Sequence, residues 1–140
     1  MKKDKIIIDH INAQSLLGNF EEIEHLVNSR NMDILCISET WLLPGIQSRL
    51  INIPGYSVHR YDMGRGGGVC IYVRTNFNLT ILSTNLERAP LVEDIWLAIQ
   101  SHKFPFFIVG CVYRHPHAPN NSFDYLFELF SIICLRQNRF

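Results

Sequence analysis

The sequence predicts an α/β fold built on a mixed sheet, and three observations carry that prediction. A β-branched run, an amphipathic helical repeat and a second apolar run open the chain in the order strand, helix, strand. Several more strand-like runs follow with short connections, which suits antiparallel pairing. Near the end, aromatic and aliphatic residues return to helical spacing.

Each element has its own local reason. Residues 5–12 hold consecutive isoleucines bounded by polar residues, too short for a helix and suited to a strand. Asn19, followed three residues later by Glu22, has the spacing of a capping box, and Leu16, Phe20, Ile23 and Val27 recur at helical intervals. Arg30 and Asn31 close that helix. Residues 33–38 form the second apolar run, so a right-handed parallel βαβ unit is expected. Residues 44–65 read as a loop, with Pro54 and Gly55 marking a turn. A strand over residues 69–73 is launched by Gly66, Gly67 and Gly68, and further strands are expected over residues 79–83, 94–100 and 106–113. Phe123, Leu126, Phe127, Phe130 and Ile133 then keep a helical period behind the cap candidates Asn121 and Ser122.

With 140 residues, 47% of them hydrophobic, the chain has material for one core and no room for two, so residues 1–140 are expected to form a single domain. Thirteen basic residues balance thirteen acidic ones, which excludes a chain-wide basic footprint; any nucleic-acid contact has to be local. Cys36, Cys70, Cys111 and Cys134 are far apart and sit in apolar runs, which reads as buried, reduced thiols rather than a metal cluster. The first residues are too weakly apolar for a secretory signal, and Glu128 interrupts the most apolar late stretch. An intracellular setting, cytoplasmic or nuclear, is therefore expected, with the glycosylation sequons at Asn78 and Asn120 as chance matches.

In open α/β sheets, ligands gather where parallel strands end. Asn12 ends the first expected strand and Glu39 follows the second, which puts an amide and a carboxylate on one edge. Magnesium takes oxygen ligands and often only one or two carboxylates, leaving its other positions to water and phosphate. Glu39 thus reads either as a metal ligand or as a solvated carboxylate paired with Arg60 or Arg65. The glycines from Gly64 to Gly68 fit neither the P-loop nor the dinucleotide fingerprint, and a sharp turn with close backbone approach is the favoured reading. Trp41 and Trp96 read as packing residues. The six histidines form no metal-binding helix motif, and a ligand role for His115 and His117, which flank Pro116, is the minor reading.

Specific blocks sharpen this. Asn12, Ala13, Gln14, Ser15 and Leu16, followed by the run Asp33, Ile34, Leu35, Cys36, Ile37, Ser38, Glu39, Thr40, Trp41 and Leu42, strongly resemble the first two motifs of the endonuclease domain of non-LTR retrotransposons. Pro54, Gly55 and Tyr56, then Arg60, the stretch from Arg65 to Val73, Glu93 to Trp96, and Val109 to Arg114 resemble later blocks of that domain in the same order, especially in jockey and CR1-like elements. The resemblance runs over residues 5–130. It implies an endonuclease/exonuclease/phosphatase-like four-layered α/β sandwich, cleavage of phosphodiesters with Mg2+, DNA as partner through its phosphate backbone, and a reverse transcriptase domain downstream in a full-length element.

Carried over residue by residue, the resemblance makes Glu39 the metal-binding glutamate, Asn12 the asparagine beside it and Tyr113 the tyrosine near the scissile phosphate. It also places Arg114 next to the site, either on the DNA backbone or supporting its loop. The Gly-Asp-x-Asn and Ser-Asp-His motifs that complete such sites do not occur in the sequence, and residues 135–140 match no block. The expectation is therefore a truncated domain, inactive alone, with an uncovered apolar sheet face and weak folding. Two alternatives are a catalytically dead phosphate- or metal-binding module and a phosphatase-like hydrolase of the same superfamily.

Overall fold

A computed structural model describes residues 5–84 and 86–137. Strand β1 (Ile8–Asn12), helix α1 (Phe20–Ser29) and strand β2 (Ile34–Ser38) open the chain, and β1 pairs with β2 in parallel, Asn12 beside Ser38. The strand, helix, strand reading holds, but the capping box does not form. Asn19 makes no side-chain cap; its amide instead donates to the carbonyls of Ala13 at 3.0 Å and Ser15 at 3.1 Å. The turn after β1 carries positive φ at Gln14 and Ser15, which leaves those carbonyls in need of a donor.

Strand β3 (Tyr56–Tyr61) lies inside the stretch expected to be a loop, preceded by a short 3-10 turn at Ser48–Ile51. It is an edge strand, paired only with β4 (Val69–Arg74) in a sheet of order β1-β2-β4-β3. Edge strands tolerate polar residues, which is why His59 and Arg60 hide the strand pattern. The Arg60 guanidinium holds the preceding loop by donating to the carbonyls of Ile46 at 2.6 Å and Leu43 at 3.2 Å. A second, antiparallel sheet comprises β5 (Asn78–Leu82), β6 (Val92–Gln100) and β7 (Phe107–Arg114), close to the expected bounds.

The two sheets face each other across a core in which Ile34, Cys36, Ile71 and Val73 meet Ile95, Leu97, Val109 and Cys111. Helix α1 covers the outer face of the first sheet through Ile23 and Val27, and α2 (Ser122–Gln137) covers the second through Leu129 and Ile133 on Trp96. The order helix, sheet, sheet, helix is the expected four-layered sandwich. Phe123, Phe127 and Phe130 belong to α2 as expected, yet they are exposed. The Trp96 ring fills the space over Gly110, where a Cβ would come within 2.3 Å of it, and Leu129 and Ile133 pack on that ring with the Phe130 ring edge-on to it at 5.2 Å.

On β1, Ile8, His10 and Asn12 are exposed, so this face is open and mostly polar, and β5 is open as well, with Ile81 exposed. Cys36, Cys70 and Cys111 are buried, whereas Cys134 is exposed on α2 and corrects the expectation that all four are buried. Among the described residues no helix is long and apolar enough to cross a membrane. Residues 138–140 of the unmatched tail lie outside the described ones.

Candidate active site

The parallel pairing carries β1 and β2 to a common rim. There the Ala13 amide donates to the Ser38 carbonyl at 2.9 Å and the Ser15 amide to the Glu39 carbonyl at 3.1 Å. Glu39 itself has φ +53° and Trp41 has φ +58°, conformations costly for residues with side chains and characteristic of functional sites. Register on β7 turns Tyr113 toward the first sheet, and its hydroxyl donates to Glu39 Oε1 at 2.9 Å, closing a contact between residues 74 positions apart. Burial first, and then this bond to a carboxylate, push the Tyr113 hydroxyl up to about 12 from 10.0, so it stays protonated and can donate.

Asn12 stands at the same rim, exposed, on the strand beside Ser38. Among the described residues neither its amide nor Glu39 Oε2 has a hydrogen-bond partner, so both oxygens are available to a ligand. One carboxylate and one amide oxygen are a donor set that suits magnesium, which keeps several waters and takes few protein ligands. The described residues hold no group of three or more His, Cys, Asp or Glu around a common point.

Arg114 is not brought to Glu39. Its guanidinium donates to Ser122 Oγ at 2.7 Å and to the Ala118 carbonyl at 2.8 Å, and lies over the Phe123 ring. Arg60 is occupied by Asp62 and loop carbonyls, and Arg65 lies over Trp41, so neither provides the alternative ion pair for Glu39. The glycines do what close approach requires. Gly68 has φ +94°, and a Cβ there would fall 2.3 Å from Thr40 Oγ1.

Glu93 and His115 were not found as a site by sequence reasoning. Glu93 is fully buried on β6, cross-strand from Tyr113, and accepts from the Gly68 amide at 3.1 Å. His115 Nε2 lies 3.0 Å from both Glu93 oxygens, and its ring stands 4.8 Å from that of Tyr113. The available signal was the hairpin register: once β6 and β7 are paired, Glu93 and Tyr113 share a face. A cleft of about 530 Å³ lies elsewhere, between β3 and α2, and its lining includes none of Asn12, Glu39 or Tyr113. Its main acid, Asp94, is already bonded to Arg88, Trp96 and Tyr125.

Two facing sheets with a carboxylate at the strand ends can be set beside known proteins. The sequence profile of the Endonuclease/Exonuclease/phosphatase family matches residues 10–135. The chain belongs to this endonuclease/exonuclease/phosphatase family. Among solved structures, the human Nocturnin catalytic domain is similar with a TM-score of 0.61 and 16% identity, covering 91% of this chain and 58% of that one. A humanized D. rerio TDP2 gives a TM-score of 0.63 and 13% identity, covering 93% and 58%. The AP endonuclease LMAP from Leishmania major gives 0.54 and 17%, covering 75% and 38%. This endonuclease/exonuclease/phosphatase chain therefore spans just over half the length of the first two structures and under half of the third. At such identities the likeness establishes fold. No curated protein matches the chain significantly.

Proposed function

We propose that this chain carries part of a Mg2+-dependent phosphodiester-cleaving site that nicks DNA, of the kind found in the retrotransposon endonucleases its motifs resemble. The observation that carries the reading is the hydrogen bond from Tyr113 to Glu39, formed across two sheets beside the end of β1. Glu39 and Asn12 would hold the ion, which when bound offsets the negative charge of a phosphate. Tyr113 keeps Glu39 oriented and, as a neutral hydroxyl, can turn its proton toward a phosphate oxygen. We read Arg114 as support for the turn before α2, since its donors are spent there. In this reading the partner is the DNA backbone, the setting is intracellular, and a reverse transcriptase domain follows in the full element.

Hydrolysis also needs a base to activate water, and the sequence contains neither Gly-Asp-x-Asn nor Ser-Asp-His. The 140-residue chain is thus read as inactive by itself. Supercoiled plasmid incubated with it and Mg2+ should stay intact. A fusion supplying a segment with both missing motifs should nick the plasmid and lose that activity on Glu39→Ala. Nicking by the fusion that survives Glu39→Ala would defeat the proposal. The alternative is a dead binding module that keeps the Glu39–Tyr113 corner and its metal or phosphate affinity without hydrolysis. It predicts that Mg2+ raises the melting temperature while the fusion stays inactive.

A further inference from the structure

We propose that Glu93 and His115 are a positioning pair that fixes the Glu39 carboxylate for a hard divalent cation. The inference deepens the site reading above and rests on it. A fully buried carboxylate is tolerated only where partners replace its water. Glu93 has two such partners, the Gly68 amide and the His115 ring, and each leads back to Glu39 by its own route.

The first route is the backbone. Gly68 takes the Thr40 amide on its carbonyl at 3.2 Å, and Gly67 takes the Trp41 amide at 2.9 Å. Those are the two residues that follow Glu39, and their bonds hold it at positive φ. Gly67 packs so closely on the pair that a Cβ would lie 2.3 Å from Glu93 Oε1 and 3.3 Å from His115 Cε1. The second route is the side chains. His115, fixed through Nε2 on both Glu93 oxygens, sets its ring against Tyr113, and Tyr113 donates to Glu39. Partners of this kind, one step removed from a metal, orient the ligand, and losing one costs about 10–100-fold in metal affinity.

The test is Mn2+ binding to the 140-residue chain, followed by electron paramagnetic resonance well below the melting temperature, with folding checked by circular dichroism. Glu39→Gln should abolish binding. His115→Ala and Glu93→Gln should weaken it at least about tenfold, and His115→Gln, whose amide can still donate to Glu93, should restore most of the loss. A purely structural role would lower the melting temperature of these variants and leave the affinity of the folded protein unchanged. If His115→Ala does not fold, Glu93→Gln and His115→Gln against wild type carry the comparison. Glu39-dependent binding that is within about twofold of wild type in the folded pair variants overturns this inference alone. Mn2+ binding that is absent, or indifferent to Glu39→Gln, overturns the site reading and this inference with it.

Discussion

Replacing Gly68 by alanine probes the contact that ties the glycine loop to the residue after Glu39. Two costs add. At φ +94° a side chain is disfavoured, by about 1–2 kcal/mol. The new Cβ would also sit 2.3 Å from Thr40 Oγ1, and Thr40 is only 1% exposed and has nowhere to go. Such overpacking costs about 1–3 kcal/mol, for a total of about 2–5 kcal/mol. The two costs can be separated. With Thr40→Ala the nearest atoms left to the new Cβ are the Tyr61 carbonyl oxygen at 3.5 Å and the residue 40 Cβ at 3.6 Å, both ordinary contacts. The double variant should therefore recover the overpacking share and keep the backbone share, giving a coupling of about 1–3 kcal/mol in a double-mutant cycle. Urea midpoints at constant slope measure all four proteins. A Gly68→Ala cost below about 1 kcal/mol, or no coupling to Thr40→Ala, would refute the packing argument.

Three more predictions follow from contacts at and around the site. Tyr113 is pushed up to about 12 from 10.0, so its contribution to stability is whole below pH 10 and falls as pH rises toward about 12, because only the unfolded chain has lost the proton there; Tyr113→Phe should remove that part of the alkaline decline in urea midpoint. Arg114→Ala leaves buried Ser122 without its charged donor and should cost about 1.5–3 kcal/mol in urea unfolding, and because the guanidinium is bonded to Ser122 and Ala118 rather than to Glu39, Mn2+ affinity should not change; a lost affinity with unchanged stability would make Arg114 a site residue instead. Under native conditions a thiol reagent should modify Cys134 quickly and reach Cys36, Cys70 and Cys111 only on unfolding, which mass mapping of labelled peptides reads directly; fast labelling of Cys70, buried and with its thiol pushed up by burial, would contradict the core packing.

Local pattern carried a large part of the fold. The runs that became β2, β4 and β6 are apolar because each is paired on two sides and buried on both faces, and such runs are visible one residue at a time; β1 and β7 lie at sheet edges but keep enough β-branched and aromatic residues to show. β3 was not visible, because an edge strand needs to satisfy only one neighbour and can hold His59 and Arg60. The α2 period was visible, but not which stripe of it would be buried; Leu129 and Ile133 are the ones that meet Trp96 on the second sheet. Asn19 had the composition of a cap and found better acceptors in the preceding turn.

The sequence by itself determined the strand, helix, strand opening, the family blocks, and the placing of Asn12 and Glu39 at the same end of adjacent strands, because each follows from residues close in the chain or from adjacent parallel strands. Only the tertiary structure decided that Tyr113 reaches Glu39, that Arg114 does not, and that Glu93 and His115 stand behind both the tyrosine and the glycine loop. Those contacts depend on how two separate sheets are set face to face. The relative placement of the sheets comes from the packing of the whole core between them, which no local periodicity encodes.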